Sequence, residues 1–211
     1  MPFGYLGTTP NQQLKNSGVF SVEEVLAVEN NGEWGGSLQL IQTQTVSGAV
    51  AQVDFTSIKE SKYDVHLLTW NNILCENDSK RIVMRFFESG TIEDASVYQY
   101  ANQVCYAGNI FTEANSTGDT DIRLADNAGN DTGESTNGYV YCYNLGDSSK
   151  YSFSSYQSSG ANMSSIGWGE FGGGVLPQTS TVDGIRFLID GNHNITGGTL
   201  KLYGVKQIWV T

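Results

Sequence analysis

Residues 63–70 read YDVHLLTW, and the order of their side chains decides the fold class. In an extended chain Tyr63, Val65 and Leu67 fall on one side and His66, Leu68 and Trp70 on the other, so both faces are largely apolar. A strand of that kind belongs between two covered surfaces. The next apolar run repeats the pattern: RIVMRFF, residues 81–87, sets Ile82, Met84 and Phe86 against Val83, Arg85 and Phe87.

Working outward, the same period of two appears in SLQLIQTQT (37–45), AQVDFTSI (51–58), SVYQYANQVCY (96–106), DIRLA (121–125), GYVYCYNL (138–145), KYSFSSY (150–156) and GIRFLID (184–190). It returns in the closing GGTLKLYGVKQIWV (197–210). Gly, Asn, Asp and Ser separate nearly all of these runs, which is the punctuation of short strands and turns. Parallel pairing needs crossovers of a dozen or more residues, and no amphipathic helical segment lies between these strands. The expectation is therefore an all-β, antiparallel β-sandwich of jelly-roll type with about ten strands. In the closing strand Leu200 and Leu202 should enter the core, Lys201 should face out, and Gly204 should mark a bulge or a close approach.

The first 36 residues read differently. Residues 1–20 have no periodicity and contain Pro2, Gly4, Gly7 and Pro10, as an extended arm would. In SVEEVLAVEN, Ser21 can cap a short helix over residues 22–29 with Glu24 returning the hydrogen bond. The expected organisation is an arm and helix over 1–36, acting as a docking element, and a sandwich over 37–211.

Composition narrows the function. Eleven Lys and Arg against 22 Asp and Glu give a net charge of −11, the reverse of what phosphate neutralisation by a nucleic-acid binder requires. Cys75, Cys105 and Cys142 form no CxxC pair and are read as reduced thiols. No export signal and no apolar run of membrane-span length are visible at this stage. The Asn-x-Ser/Thr sequons at Asn77, Asn115, Asn130, Asn162 and Asn194 are read as chance occurrences in a chain rich in these residues.

Motifs for chemistry are sparse. His66, inside a strand, and His193, in the turn DGNHNITGG, are the two histidines, and neither accompanies a nucleophile motif such as GxSxG. Glu33 beside Trp34, and Glu170 between Trp168 and Phe171, have the acid-plus-aromatic character of a glycosidase site, but SIGWGEFGGGV (165–175) reads equally as a glycine-rich loop plugging one end of a sandwich. Asp119, Asp121, Asp126, Asn127, Asn130 and Asp131 offer oxygen donors suited to Ca²⁺ without the spacing of an EF-hand, and turn formation explains them as well. No phosphate-binding glycine loop occurs. The reading is a protein that is not an enzyme, with no catalytic, cofactor or metal residue assigned.

Four stretches, residues 4–41, 53–73, 137–156 and 172–208, resemble small virion proteins of tailed bacteriophages, particularly those of marine bacteria and cyanobacteria; the ending, a Gly-Thr start into LYGVK, carries most of the likeness. The resemblance implies a jelly-roll head-decoration or fibre-like component, often trimeric, assembled in a host cytoplasm and carried on the virion beside capsid or tail proteins. It brings no catalytic residues with it. Tyr139, Tyr141 and Tyr143, which share one strand face, are read either as covered by loops of the same chain or as candidate subunit contacts, since Tyr offers large contact area with a polar tip. Alternatives are a tail-fibre or receptor-binding protein and a carbohydrate-binding module contacting host-surface glycan through Trp34, Trp70, Trp168 or Tyr156.

Overall fold

The computed structural model describes residues 37–206 and, before them, Glu23, which is helical. The expected arm over 1–20, the rest of the helix over 22–29, Glu33, Trp34 and the terminal Ile208, Trp209 and Val210 lie outside the described residues. By its internal contacts the chain divides into two compact units, residues 1–39 and 40–211, and the second carries the sandwich.

Thirteen strands follow in order: β1 (Leu38–Val46), β2 (Gln52–Thr56), β3 (Val65–Cys75), β4 (Lys80–Glu88), β5 (Thr91–Ile92), β6 (Tyr98–Tyr106), β7 (Ile110–Asp119), β8 (Ile122–Ala128), β9 (Thr136–Tyr143), β10 (Ser152–Ala161), β11 (Gly167–Leu176), β12 (Val182–Ile189) and β13 (Ile195–Val205). They form an eight-stranded sheet, β1-β13-β3-β9-β10-β11-β6-β7, and a five-stranded sheet, β2-β12-β4-β5, in which β8 also pairs with β4. The registers are antiparallel. The all-β antiparallel sandwich expected from the period of two is the architecture observed. Through β1 to β4 each strand joins the sheet its predecessor did not; β8 stays with β4, and β9, β12 and β13 resume the alternation. Two insertions, β6 to β7 and β10 to β11, widen the larger sheet at one end, while β5 pairs with β4 in the smaller one.

The inner faces supply one continuous core. Leu68 and Trp70 of β3, Met84 and Phe86 of β4, Val140 of β9, Phe187 of β12, and Leu200 and Leu202 of β13 are fully buried. Trp70 and Phe187 meet across the two sheets with ring centroids 5.5 Å apart. Each large side chain buried in this way contributes about 1.5–3 kcal/mol. Lys201 is exposed between its buried neighbours, as the alternation in the closing strand requires.

Glycine sets how closely elements approach. A Cβ at Gly204 would lie only 2.3 to 2.5 Å from three ring carbons of Tyr63, so Gly204 marks a close approach and Val205 stays paired with Val65. The segment SIGWGEFGGGV does not plug the end of the sandwich as a loop. It forms β11, in the interior of the larger sheet between β10 and β6. A Cβ at Gly172 would lie 2.8 Å from the Cβ of Asn102 and 2.9 Å from the Tyr156 hydroxyl, and one at Gly174 would lie 2.7 Å from Ile122 of the opposite sheet. The glycines therefore admit large neighbours instead of loosening the chain.

Candidate functional site

Alternation along β11 splits the acid and aromatic residues that looked like one group. Trp168 and Glu170 point inward and are buried, whereas Phe171 points outward and is 48% exposed. Glu170 sits in a closed hydrogen-bond set. Its Oε1 accepts from Asn102 Nδ2 at 2.6 Å and from the Tyr156 hydroxyl at 2.7 Å, and its Oε2 accepts from the backbone N–H of Asp126 at 2.7 Å. Asn102 in turn accepts from the Ala114 N–H at 3.0 Å. Burial raises the Glu170 pKa above the usual glutamate value, against the opposing effect of these donors, and raises that of Tyr156 by desolvation and by the nearby Glu170 charge. The arrangement ties β6, β7, β10 and β11 of one sheet to β8 of the other. Both oxygens of the Glu170 carboxylate thus accept hydrogen bonds from the protein itself.

The histidines are apart in the fold. His66 is buried in β3, where its Nε2 donates to the Ile58 carbonyl at 2.9 Å, and desolvation lowers its pKa below 6.5. That bond makes it a packed core side chain without a hydroxyl to activate. His193 lies in the turn between β12 and β13, bridged to Ile189.

Among the acidic and amide residues from 119 to 131, Asp119 and Asp121 share Thr120, whose N–H donates to Asp119 at 2.8 Å, and the others have different partners. Asp121 accepts from Arg85 at 3.4 Å and from Thr120 at 3.1 Å, Asp126 meets Arg81 at 3.4 Å, and Asn127 donates to the Tyr106 hydroxyl. Asn130 donates its N–H to Asp78 at 3.1 Å, and the Asp131 carbonyl accepts from Glu134. They do not converge, and among the described residues no group of three or more His, Cys, Asp or Glu is placed to hold a metal ion. Nor, among them, is any helix long and apolar enough to cross a membrane.

Exposed aromatic surface gathers elsewhere, on the outer face of the eight-stranded sheet. Trp70, Trp168 and Tyr156, expected as sugar contacts, are buried in the core. Outward instead stand Tyr139, Tyr141 and Tyr143 of β9, Phe153 of β10, Phe171 of β11 and Tyr203 of β13. Phe153 is 45% and Tyr139 is 37% exposed. The Tyr139 hydroxyl donates to Gln157 at 2.7 Å, and Tyr143 shares a hydrogen bond with Ser155 at 3.0 Å. Down β9 the rings lean on one another, Tyr139 against Tyr141 edge to face at 5.8 Å and Tyr141 against Tyr143 stacked at 6.4 Å.

Register places these side chains in rows that cross the sheet. One row runs Lys201, Thr69, Tyr139, Gln157, Phe171, Gln103 and Glu113, and the next runs Tyr203, Leu67, Tyr141, Ser155, Gly173, Ala101 and Asn115. The outward positions of β9, β10, β11 and β6 hold no charged residue, although 16% of the chain is charged. Such a face is suited to contact. Sequence reasoning found the tyrosines of β9 but missed Phe153 and Phe171; counting by twos from the buried Trp168 would have shown that Phe171 faces out. Compared with family models, curated proteins and solved structures, the chain matches none of them.

Proposed function

We propose that this protein is a structural subunit on the exterior of a tailed-phage virion, in the first place a capsid-decoration protein docked through the segment that precedes β1. The observation that carries the reading is the uncharged aromatic centre of the larger sheet's outer face, on a sandwich whose most deeply buried carboxylate among the described residues, Glu170, is spent on holding strands together. Strand order supports it as well: we read β1-β13-β3-β9 and β2-β12-β4-β8 as the two four-stranded halves of a jelly roll, with β5 to β7 and β10 to β11 as insertions. That fold serves many roles, so the face and not the fold is the argument. A tail-fibre or receptor-binding position on the same particle is the nearest alternative.

The test is recovery with particles. Purified virions carrying the full chain should bind a gold-labelled antibody on the head. A chain lacking residues 1–20 should fold, by circular dichroism and thermal melting, yet be lost from the particles. Label on the fibre tips would move the protein to the alternative position, and normal occupancy by the truncated chain would remove the arm as anchor.

A carbohydrate-binding module is the second reading, because Tyr139 and Phe171 stand exposed on either side of Gln157. Sugar stacking needs ring faces turned to solvent, and Tyr141 and Tyr143 turn theirs toward each other. The geometry therefore favours protein contact over a sugar platform.

A further inference from the structure

The outer face of the eight-stranded sheet has a symmetry that names its occupant. Its two central rows, read from β13 to β7, run across seven strands with β10 in the middle. We infer that a second copy of this chain covers the face, related by a two-fold axis running along β10, so that Lys201 of each copy meets Glu113 of the other; the inference rests on reading the protein as a building block.

A two-fold axis along β10 leaves each row opposite itself and exchanges its left and right positions. In the first row Lys201 then faces Glu113, Thr69 faces Gln103, Tyr139 faces Phe171, and Gln157 meets its own copy. The second row places Tyr141 opposite Gly173, Leu67 opposite Ala101, and Tyr203 opposite Asn115. Large meets small where one sheet would otherwise collide with the other, aromatic meets aromatic in the first row, and opposite charges meet at both edges.

Rotation about an axis perpendicular to the strands in the same face would instead keep Lys201 on the side of Lys201 and Glu113 on the side of Glu113. Like charges would then gather at each edge, and in a chain of net charge −11 the Glu113 pair would be opposed twice over. Charge complementarity thus selects one of the two ways of laying the faces together. The isologous form also closes on itself, which leaves no free copy of the face to propagate a filament.

Area is sufficient. Seven strands spaced about 4.8 Å apart and about seven residues deep present roughly 34 by 24 Å, or about 800 Å². A stable interface of ordinary size takes about 800 Å² from each partner. Sheets packed face to face keep their strand directions within about 30° of each other, and an axis along β10 meets that condition.

Sedimentation equilibrium on the full chain tests this. Wild type should have twice the 22.9 kDa mass of one chain. Lys201→Glu and Glu113→Lys, both on exposed positions, should each weaken the pair by about tenfold, and the double exchange should restore it. Phe171→Lys should weaken it by at least about 100-fold, because the pair loses the ring twice and buries two ammonium groups. Thr91→Lys, on the smaller sheet, should leave the mass unchanged and controls for added charge; melting temperatures establish that each variant folds.

A single-chain mass for wild type up to its solubility limit, a mass of three chains, or a double exchange that fails to restore pairing would overturn the inference. Its failure is separable from that of the functional reading. A single chain found on virions ends the pairing and keeps the virion role, and a pair in solution that is absent from virions does the reverse.

Discussion

Glu170 shows how one residue can have a legible environment and an illegible role. The sequence places it between Trp168 and Phe171, and a carboxylate among aromatics suggests catalysis. Its partners, Asn102 and Tyr156 on other strands and the N–H of Asp126 in the opposite sheet, are 14 to 68 residues away in the chain. No spacing in the sequence announces them. Glu170→Gln keeps the shape but turns an NH₂ donor toward a donor, either the Asp126 N–H or the Tyr156 and Asn102 pair. It should cost about 1–3 kcal/mol in urea unfolding. The pH dependence follows from the raised pKa. Because the folded protein holds the Glu170 proton more tightly than the unfolded chain, this group contributes most stability below the ordinary glutamate value of 4.5, and the contribution is lost as pH rises through the higher folded value. The wild-type advantage over Glu170→Gln should therefore be larger at pH 5 than at pH 7.

At the scale of elements, the strands with alternating apolar residues were readable and those without were not. β3, β4, β9, β12 and β13 declare themselves because each buries a core stripe that repeats every second residue. β7, with the sequence IFTEANSTGD, lies at the edge of the larger sheet and is mostly exposed, so no apolar alternation records it. β11 is hidden by its glycines, whose missing side chains are replaced in space by Tyr156, Asn102 and Ile122. In both cases the pairing partner, and not the strand's own composition, makes the strand. β13 supplies a test of such close approaches. Gly204→Ala drives a methyl group into the Tyr63 ring and should destabilise the sandwich by about 1–3 kcal/mol. Combined with Tyr63→Ala, the same change should cost much less than the sum of the two alone, and a double-mutant cycle by denaturant titration measures the difference.

For the whole molecule, charge sets the conditions of association. Two bodies of charge −11 held about 25 Å apart repel by roughly 1–2 kcal/mol at 0.1 M salt, and by far less at 0.5 M. Each Lys201–Glu113 contact at the rim is worth less than about 1 kcal/mol and is screened as well. Repulsion between the bodies is the larger quantity, so added salt should tighten the pair by several-fold, and sedimentation at the two salt concentrations reads this directly. A pair held chiefly by rim charges would loosen. The acidic balance was visible from composition, whereas the blank face that lets acidic copies meet was visible only once register had aligned seven strands.

Strand order has a consequence in time. In the larger sheet β13 lies between β1 and β3, and in the smaller one β12 lies between β2 and β4. Each early strand therefore waits for a partner encoded more than 90 residues later, and neither sheet can close while the chain is still being made up to β11. Throughout synthesis the edges of β1 to β4 are open to one another and to neighbouring chains. Long-range pairing of this kind slows folding and lengthens exposure to aggregation, so the last two strands act as the keystones of both sheets and set when the protein becomes available for assembly.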